Sequence, residues 1–149
     1  MTTNKKGVNL IKKYEGLKLK TYLCPAGVPT IGYGHTGKVN GKKLDIKKPI
    51  TITEVKAEEL LKSDLSVFEV AVGRIDRKYN YGFTKNEFSA LVSFAYNLGW
   101  GTLEMLCKEG KRNKREIADS MLLYNKANGK VLQGLVNRRK AERKLFLTK

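Results

Sequence analysis

The chain has 149 residues, 41% hydrophobic and 30% charged, which is typical of a folded domain and too apolar for a disordered chain. The 30 lysines and arginines against 14 acidic residues give a net charge of +16, which predicts an anionic partner. No apolar run approaches the roughly 20 residues of a membrane span. The N-terminal residues also lack the apolar segment of a secretory signal, so none is expected.

The first half of the chain is predicted to hold one short helix and two hairpins. Residues 4–15 show helical spacing of apolar residues, with Asn4 as a candidate N-cap and Gly16 as a stop. The segment YLCPAGVPTIGYGH predicts two strands joined by a tight loop, and Asn40-Gly41 predicts a second hairpin.

After Pro49 the pattern is helical throughout. Thr51-x-x-Glu54 has the spacing of a capping box and precedes an apolar stripe that runs from Ala57 to Ile75. Thr84-x-x-Glu87 and Asn113-x-x-Glu116 have the same spacing. The helix opened by Asn113 is expected to end near Gly129, and a last helix to begin at about residue 134.

These elements predict an α+β fold that is predominantly helical. A small β-hairpin lobe is expected over about residues 16–52, and a connecting helix over about 53–76. A helical lobe is expected over about 77–149, joined by the N-terminal helix. The whole chain, 1–149, is predicted to be a single catalytic domain, with a cleft where the two lobes meet.

Three residues carry the chemistry that the sequence suggests. Glu15 ends the first predicted helix, where the helix dipole and partial burial would favour its protonated form, as a glycosidase acid requires. A surface glutamate paired with a lysine is the alternative. If the hairpin loop is centred on Gly27, Cys24 and Thr30 lie directly opposite each other on one face, about 5 Å apart at Cβ.

The segment EGLKLKTYLCPAGVPTIGYGHTG resembles the active-site segment of the phage lysozymes, or endolysin muramidases, of the T-even type. Glu15, Cys24 and Thr30 have the spacing of that family's Glu, Asp or Cys, and Thr. ALVSFAYNLGWG and GLVNRRKAERKLF also resemble the family, so the resemblance covers nearly the whole chain. It implies a lysozyme-like fold and hydrolysis of the β-1,4 bond between N-acetylmuramic acid and N-acetylglucosamine in peptidoglycan, with no cofactor and no metal.

The resemblance also implies roles for the three residues. Glu15 would be the general acid, and Cys24 and Thr30 would act on the side of the attacking water. Cys24 replaces the commoner Asp, and a thiol with an ordinary pKa of about 8.5 is only a few per cent ionised at pH 7. Cys24 therefore has three open interpretations: a thiolate base, a residue that positions water, or a nucleophile.

Two further residues are candidates for binding or support. Arg138 is expected to be a substrate-binding residue that holds the Glu15 carboxylate, although Arg139 could do the same. Asn97 would bind the N-acetyl groups of the sugar through its amide, or else would cap the end of its helix.

The resemblance implies that His35 and Asp64 lie close together. We expect them to form an ion pair that ties the hairpin to the long helix, a structural role.

Four other functions are alternatives for this sequence. A lytic transglycosylase would need one acid and would leave anhydro ends. A cysteine peptidase using Cys24 and His35 lacks an evident third group, and a zinc site of these residues with Cys107 lacks compact spacing. A basic nucleic-acid-binding module is supported only by the charge, so no specific nucleic acid is expected.

The expected partners are bacterial peptidoglycan and an anionic envelope surface, and the chain is expected to be a monomer. Cys24 and Cys107 are expected to be reduced, because no export signal is evident. The resemblance implies synthesis in the host cytoplasm and release to the wall or periplasm through a separate membrane pore.

Overall fold

The computed structural model describes residues 1–149 and confirms an α+β, predominantly helical fold. The elements in chain order are α1 (Lys5–Glu15), β1 (Lys18–Leu23), β2 (Pro29–Gly32), α2 (Glu54–Tyr79), α3 (Lys85–Leu98), α4 (Thr102–Cys107), α5 (Lys114–Met121), β3 (Lys126–Ala127), β4 (Lys130–Val131) and α6 (Gln133–Leu147). None of the helices combines the length and the apolar character that crossing a membrane would require.

The chain divides into two compact units. Residues 15–64 form one, called here the hairpin unit, and residues 1–14 with 65–149 form the other, called the helical unit. The boundaries fall within α1 and within α2. The expectation of a single catalytic domain stays a prediction.

The register of the first hairpin differs from the predicted one. Strands β1 and β2 are antiparallel, with Tyr22 opposite Thr30. Cys24 is opposite Val28, whose carbonyl accepts a hydrogen bond from the Cys24 amide at 3.0 Å. The prediction that Cys24 lies directly opposite Thr30 is therefore wrong, but the period of two still places both side chains on one face.

The turn chemistry explains this register. The Cys24 carbonyl accepts a hydrogen bond from the Gly27 amide at 2.8 Å, so the four-residue turn runs from Cys24 to Gly27. Pro25 presets the φ angle of the second turn position, and Gly27 has a φ of +77° that few other residues adopt. The turn is thus centred between Pro25 and Ala26, and not on Gly27 as predicted.

The second predicted hairpin is confirmed as a tight turn with a single bridge. Val39 and Lys42 exchange backbone hydrogen bonds of 2.9 and 3.1 Å. Asn40 and Gly41 between them have φ angles of +50° and +79°, which are the left-handed values that such a two-residue turn requires.

The helix starts are partly as predicted. The capping boxes that begin at Thr84 and Asn113 are both present. The one predicted at Thr51 is wrong, because Thr51 forms a β-bridge with Lys20. The side chain of Thr53 instead accepts the amide of Lys56 at 3.1 Å, and α2 begins at the next residue after Thr53.

The core of the helical unit is built on α3, which is buried along most of its length and packs against α6. Its largest fully buried apolar side chains include Leu91, Phe94, Leu103, Ile117 and Met121. Cys107 at the end of α4 is also fully buried, as expected of a small core residue.

Candidate active site

Cys24 lies at the start of the hairpin turn, half-buried and with a free thiol. The backbone amides of Val28 and Ala26 donate hydrogen bonds to its sulfur, and these contacts lower the pKa of the Cys24 thiol. The turn that shifted the register is the same turn that directs these amides at the sulfur. Its geometry therefore increases the thiolate fraction at neutral pH.

Thr30 supports the same sulfur from the second strand. Its side chain is buried, and its hydroxyl donates a hydrogen bond to the Val28 carbonyl at 2.8 Å. A hydrogen bond between the Thr30 hydroxyl and Cys24 also lowers the pKa of the thiol. The predicted pairing of a thiol and a hydroxyl on one hairpin face is thus present, although through a diagonal contact.

Tyr22 is a residue on this face that the sequence argument did not consider. It lies directly opposite Thr30, two residues before Cys24. Burial raises the pKa of the Tyr22 phenol, and the charges of Cys24 and Glu15 raise it further. The phenol therefore stays protonated at neutral pH, and the alternation of β1 side chains was the signal that could have identified it.

Glu15 is the last residue of α1 and is half-buried. Gly16 follows with a φ of +74°, a helix-ending conformation that glycine adopts without strain. The charges of Glu15 and Cys24 both raise the pKa of the Tyr22 phenol, so the carboxyl and the thiol both lie within electrostatic range of this phenol.

His35 and Asp64 are brought together as expected. The Nδ1 atom of His35 lies 2.7 Å from a carboxylate oxygen of Asp64, and its Nε2 atom lies 2.9 Å from the Lys38 carbonyl. The ring is almost fully buried, and the contact joins the chain after β2 to the third turn of α2. Its structural role stays a prediction.

Arg138 lies in a buried cluster of the helical unit. Arg138 and Arg139 both pair with Glu142, at 3.3 and 2.8 Å, and Ser93 also contacts this carboxylate. Burial raises the pKa of Glu142, and the two arginines oppose that effect. The burial of Arg138 favours a supporting role over direct contact with substrate, and its pairing with Glu15 stays a prediction.

Asn97 lies near the end of α3 and is half-exposed. Its Oδ1 atom accepts a hydrogen bond of 2.7 Å from Arg139, whereas the cap of the helix is the amide of Gly99 on the Ala95 carbonyl. Asn97 therefore does not cap the helix, and its amide NH2 group can still donate to an acetyl carbonyl.

No group of three or more histidine, cysteine, aspartate or glutamate side chains is placed to hold a metal ion. The hairpin face offers a thiol with a lowered pKa and two hydroxyl groups, and the Glu15 carboxyl at the end of α1 acts electrostatically on one of them. Such a set can donate a proton to one atom and accept a proton from another.

The family model described as phage lysozyme matches residues 12–142. The endolysin of Salmonella phage P22 is 38% identical over 151 residues, which cover 99% of each chain. The endolysin of Bacillus phage B103 is 42% identical over 156 residues, but the chain spans only 55% of that relative.

Solved structures of a phage lysozyme and a phage endolysin are also similar to this chain. A mutant of P22 lysozyme superposes with a TM-score of 0.86 at 36% identity, covering 99% of both chains. An endolysin of the Escherichia coli O157:H7 phage FAHEc1 superposes with a TM-score of 0.84 at 36% identity, covering 99% of this chain and 94% of that one.

Proposed function

The chain belongs to the phage lysozyme family, and from that premise we propose that it is an endolysin that hydrolyses bacterial peptidoglycan. The bond cleaved is the β-1,4 link between N-acetylmuramic acid and N-acetylglucosamine. The observation that carries this proposal is the hairpin face, where Cys24 has a lowered pKa and contacts Thr30 in the electrostatic environment of Glu15.

Glu15 is the general acid in this proposal. Its carboxyl proton goes to the glycosidic oxygen as that bond breaks and positive charge develops on the sugar ring. The carboxyl is fixed at the last residue of α1 and is half-buried, which limits its orientations.

Cys24 is the general base. Water attacks the anomeric carbon, and one of its protons goes to the Cys24 thiolate, which becomes a thiol. The amides of Val28 and Ala26 stabilise the thiolate at the start of this step. The same lowered pKa also suits a nucleophilic thiolate, which would retain the anomeric configuration, whereas direct attack by water inverts it.

Thr30 assists the exchange of this proton. Its hydroxyl has a single hydrogen, which can be donated to the Val28 carbonyl or to the Cys24 sulfur. While the sulfur is charged, donation to it stabilises the anion. When the sulfur gains a proton, the Thr30 hydrogen returns to the carbonyl and the thiol donates to the Thr30 oxygen.

The remaining predicted residues take supporting parts. The NH2 group of Asn97 donates to an N-acetyl carbonyl of the substrate. Arg138 supports the substrate-binding part of the helical unit through its pairing with Glu142, and the bridge between His35 and Asp64 keeps the chain after β2 in place. The protein acts as a monomer on peptidoglycan in an anionic envelope, which its charge of +16 favours, and it reaches the wall through a separately made membrane pore.

Product analysis tests the reaction. Purified peptidoglycan digested by the protein should yield fragments with reducing N-acetylmuramic acid ends, identified by mass spectrometry. Anhydro-muramyl ends would mean a lytic transglycosylase, and cleaved peptide bonds would mean a peptidase. Proton NMR of the fresh products should show inversion of the anomer, whereas retention would assign Cys24 as a nucleophile.

A further inference from the structure

The hairpin unit contains a second feature, a groove of about 470 Å³ outside the β1–β2 hairpin that carries Cys24 and Thr30. Its lining combines lysines with apolar side chains. The lining residues are Val39, Asn40, Lys42, Lys43, Leu44, Asp45, Lys48 and Ile50. We refer to it as the lysine groove.

Two tight turns hold the backbone of the lysine groove. The turn at Asn40-Gly41 fixes Lys42 through its paired hydrogen bonds with Val39. In the second turn, the Asp45 carbonyl accepts the Lys48 amide at 3.0 Å, and an Asp45 carboxylate oxygen accepts the Lys47 amide at 2.9 Å. The positions from which the lysines project are therefore set before any ligand binds.

The charge of this segment is strongly positive. Residues 38–48 contain five lysines, one acidic residue and no arginine. Lys42, Lys43 and Lys48 are all exposed. The single acid, Asp45, accepts a backbone amide, which occupies one of its oxygens within the turn. The groove therefore complements a ligand with several negative charges in a row.

We propose that the lysine groove docks a phosphodiester polymer of the bacterial envelope whose repeating unit is a polyol or sugar. Lysines bind phosphate as point charges, and the exposed lysines of the groove can meet charges spaced along a phosphodiester chain. Leu44 and Ile50 offer apolar contact to the carbon chain between phosphates.

The composition of the groove favours such a polymer over nucleic acid. Single-stranded nucleic acids are held by aromatic side chains on which the bases stack. The lining contains no aromatic residue. The inference rests on the proposed function in one respect: an enzyme that acts on peptidoglycan would meet such a polymer in the bacterial envelope.

The test compares two triple variants of equal net charge. Lys42→Ala, Lys43→Ala and Lys48→Ala together remove the groove cations. Lys5→Ala, Lys85→Ala and Lys130→Ala together remove three exposed lysines of the helical unit. Binding of both variants and the parent to poly(glycerol phosphate) is measured by calorimetry at two salt concentrations.

The groove variant should bind poly(glycerol phosphate) at least tenfold more weakly, and the slope of log K against log salt should fall by about two. The control variant should lose less than threefold. An equal loss in both variants would overturn the inference, because only net charge would then matter. Equal or tighter binding of poly-glutamate or single-stranded DNA through the same three lysines would also overturn it.

Hydrolysis of peptidoglycan freed of phosphate polymers separates this inference from the proposed function. The groove variant should hydrolyse that substrate at the parent rate and show the parent's circular dichroism. If the parent itself fails on this substrate, the proposed function fails, whereas the binding result still decides the groove.

Discussion

The two cysteines of this chain show how two regions of one molecule treat the same side chain in opposite ways. At the hairpin turn, amides and a hydroxyl donate to the Cys24 sulfur and lower the pKa of its thiol. At the end of α4, burial raises the pKa of the Cys107 thiol to about 11. The direction of each shift follows from what surrounds the sulfur.

Backbone amides account for most of the Cys24 shift, whereas burial accounts for the Cys107 shift. The turn after Cys24 leaves amides free to point at the sulfur. The end of a helix instead presents carbonyl oxygens, and the Cys107 carbonyl accepts the amides of Gly110 and Arg112. Next to Cys107, burial also raises the pKa of Tyr81, to about 12. The hairpin thus prepares a charged sulfur, and the core keeps its sulfur neutral.

The largest expected difference between the regions is in thiol reactivity. At pH 7.5 a thiol with a pKa of about 11 is ionised several hundred-fold less than an ordinary thiol with a pKa of about 8.5, and the contacts of Cys24 lower its pKa from the ordinary value. Iodoacetamide should therefore label Cys24 several hundred-fold faster than Cys107, as followed by peptide mass spectrometry. Labelling of both cysteines at similar rates in the folded protein would remove the distinction.

The second expected effect is on catalysis. Cys24→Ser should lower the rate of peptidoglycan hydrolysis by about 100-fold, because a serine hydroxyl does not ionise near neutral pH and general base catalysis is lost. Cys24→Asp restores an ionised base and should recover most of the rate. A serine variant as active as the parent would show that the sulfur takes no proton from water.

The pH dependence should locate the base. The pKa of Cys24 lies below its ordinary value, so the thiolate fraction, and with it the rate, should rise with pH and reach half its maximum at a lower pH than an ordinary thiol would. In the Cys24→Asp variant this rise should move by several pH units to the acidic side. A rise at the same pH in both proteins would assign it to another group.

The smallest expected effect concerns the core. Cys107→Ser places a hydroxyl in a fully buried position, which should lower the free energy of unfolding by about 1–3 kcal/mol. Its kcat should stay within twofold of the parent. Urea denaturation and cell-wall assays measure both quantities, and a large drop in kcat at unchanged stability would connect Cys107 to the reaction.

Helix starts could be predicted where side chain and backbone satisfy each other locally. Thr84 and Asn113 are examples, since each cap needs only residues three positions apart. Thr51 shows the limit, because a β-bridge to Lys20, distant in sequence, competes for that residue. A local pattern cannot report such a competitor.

The end of α5 was the largest error in the fold. The helix was expected to continue to about Gly129, but it ends at Met121. Asn128 and Gly129, with φ angles of +51° and +76°, instead form the turn between β3 and β4. An Asn-Gly pair is a strong hairpin signal, and in this segment it outweighs the helical spacing that predicts a longer α5.

The residues of the candidate site could be predicted from the sequence, but the backbone contacts that lower the Cys24 pKa could not. The period of two placed Cys24 and Thr30 on one face even though their register was wrong. The amides that lower the Cys24 pKa depend on the turn type that Pro25 and Gly27 select. Side-chain spacing alone does not show where backbone amides point.

The proposed function depends on one step, in which the Glu15 carboxyl protonates the glycosidic oxygen as the bond breaks. The direct measurement is hydrolysis of purified peptidoglycan by Glu15→Gln and by Glu59→Gln, a matched change at an exposed glutamate of α2. The Glu15 variant should be at least 100-fold slower, the loss expected on removing a general acid, and the Glu59 variant should match the parent. A Glu15→Gln enzyme that hydrolyses walls at the parent rate would contradict the account.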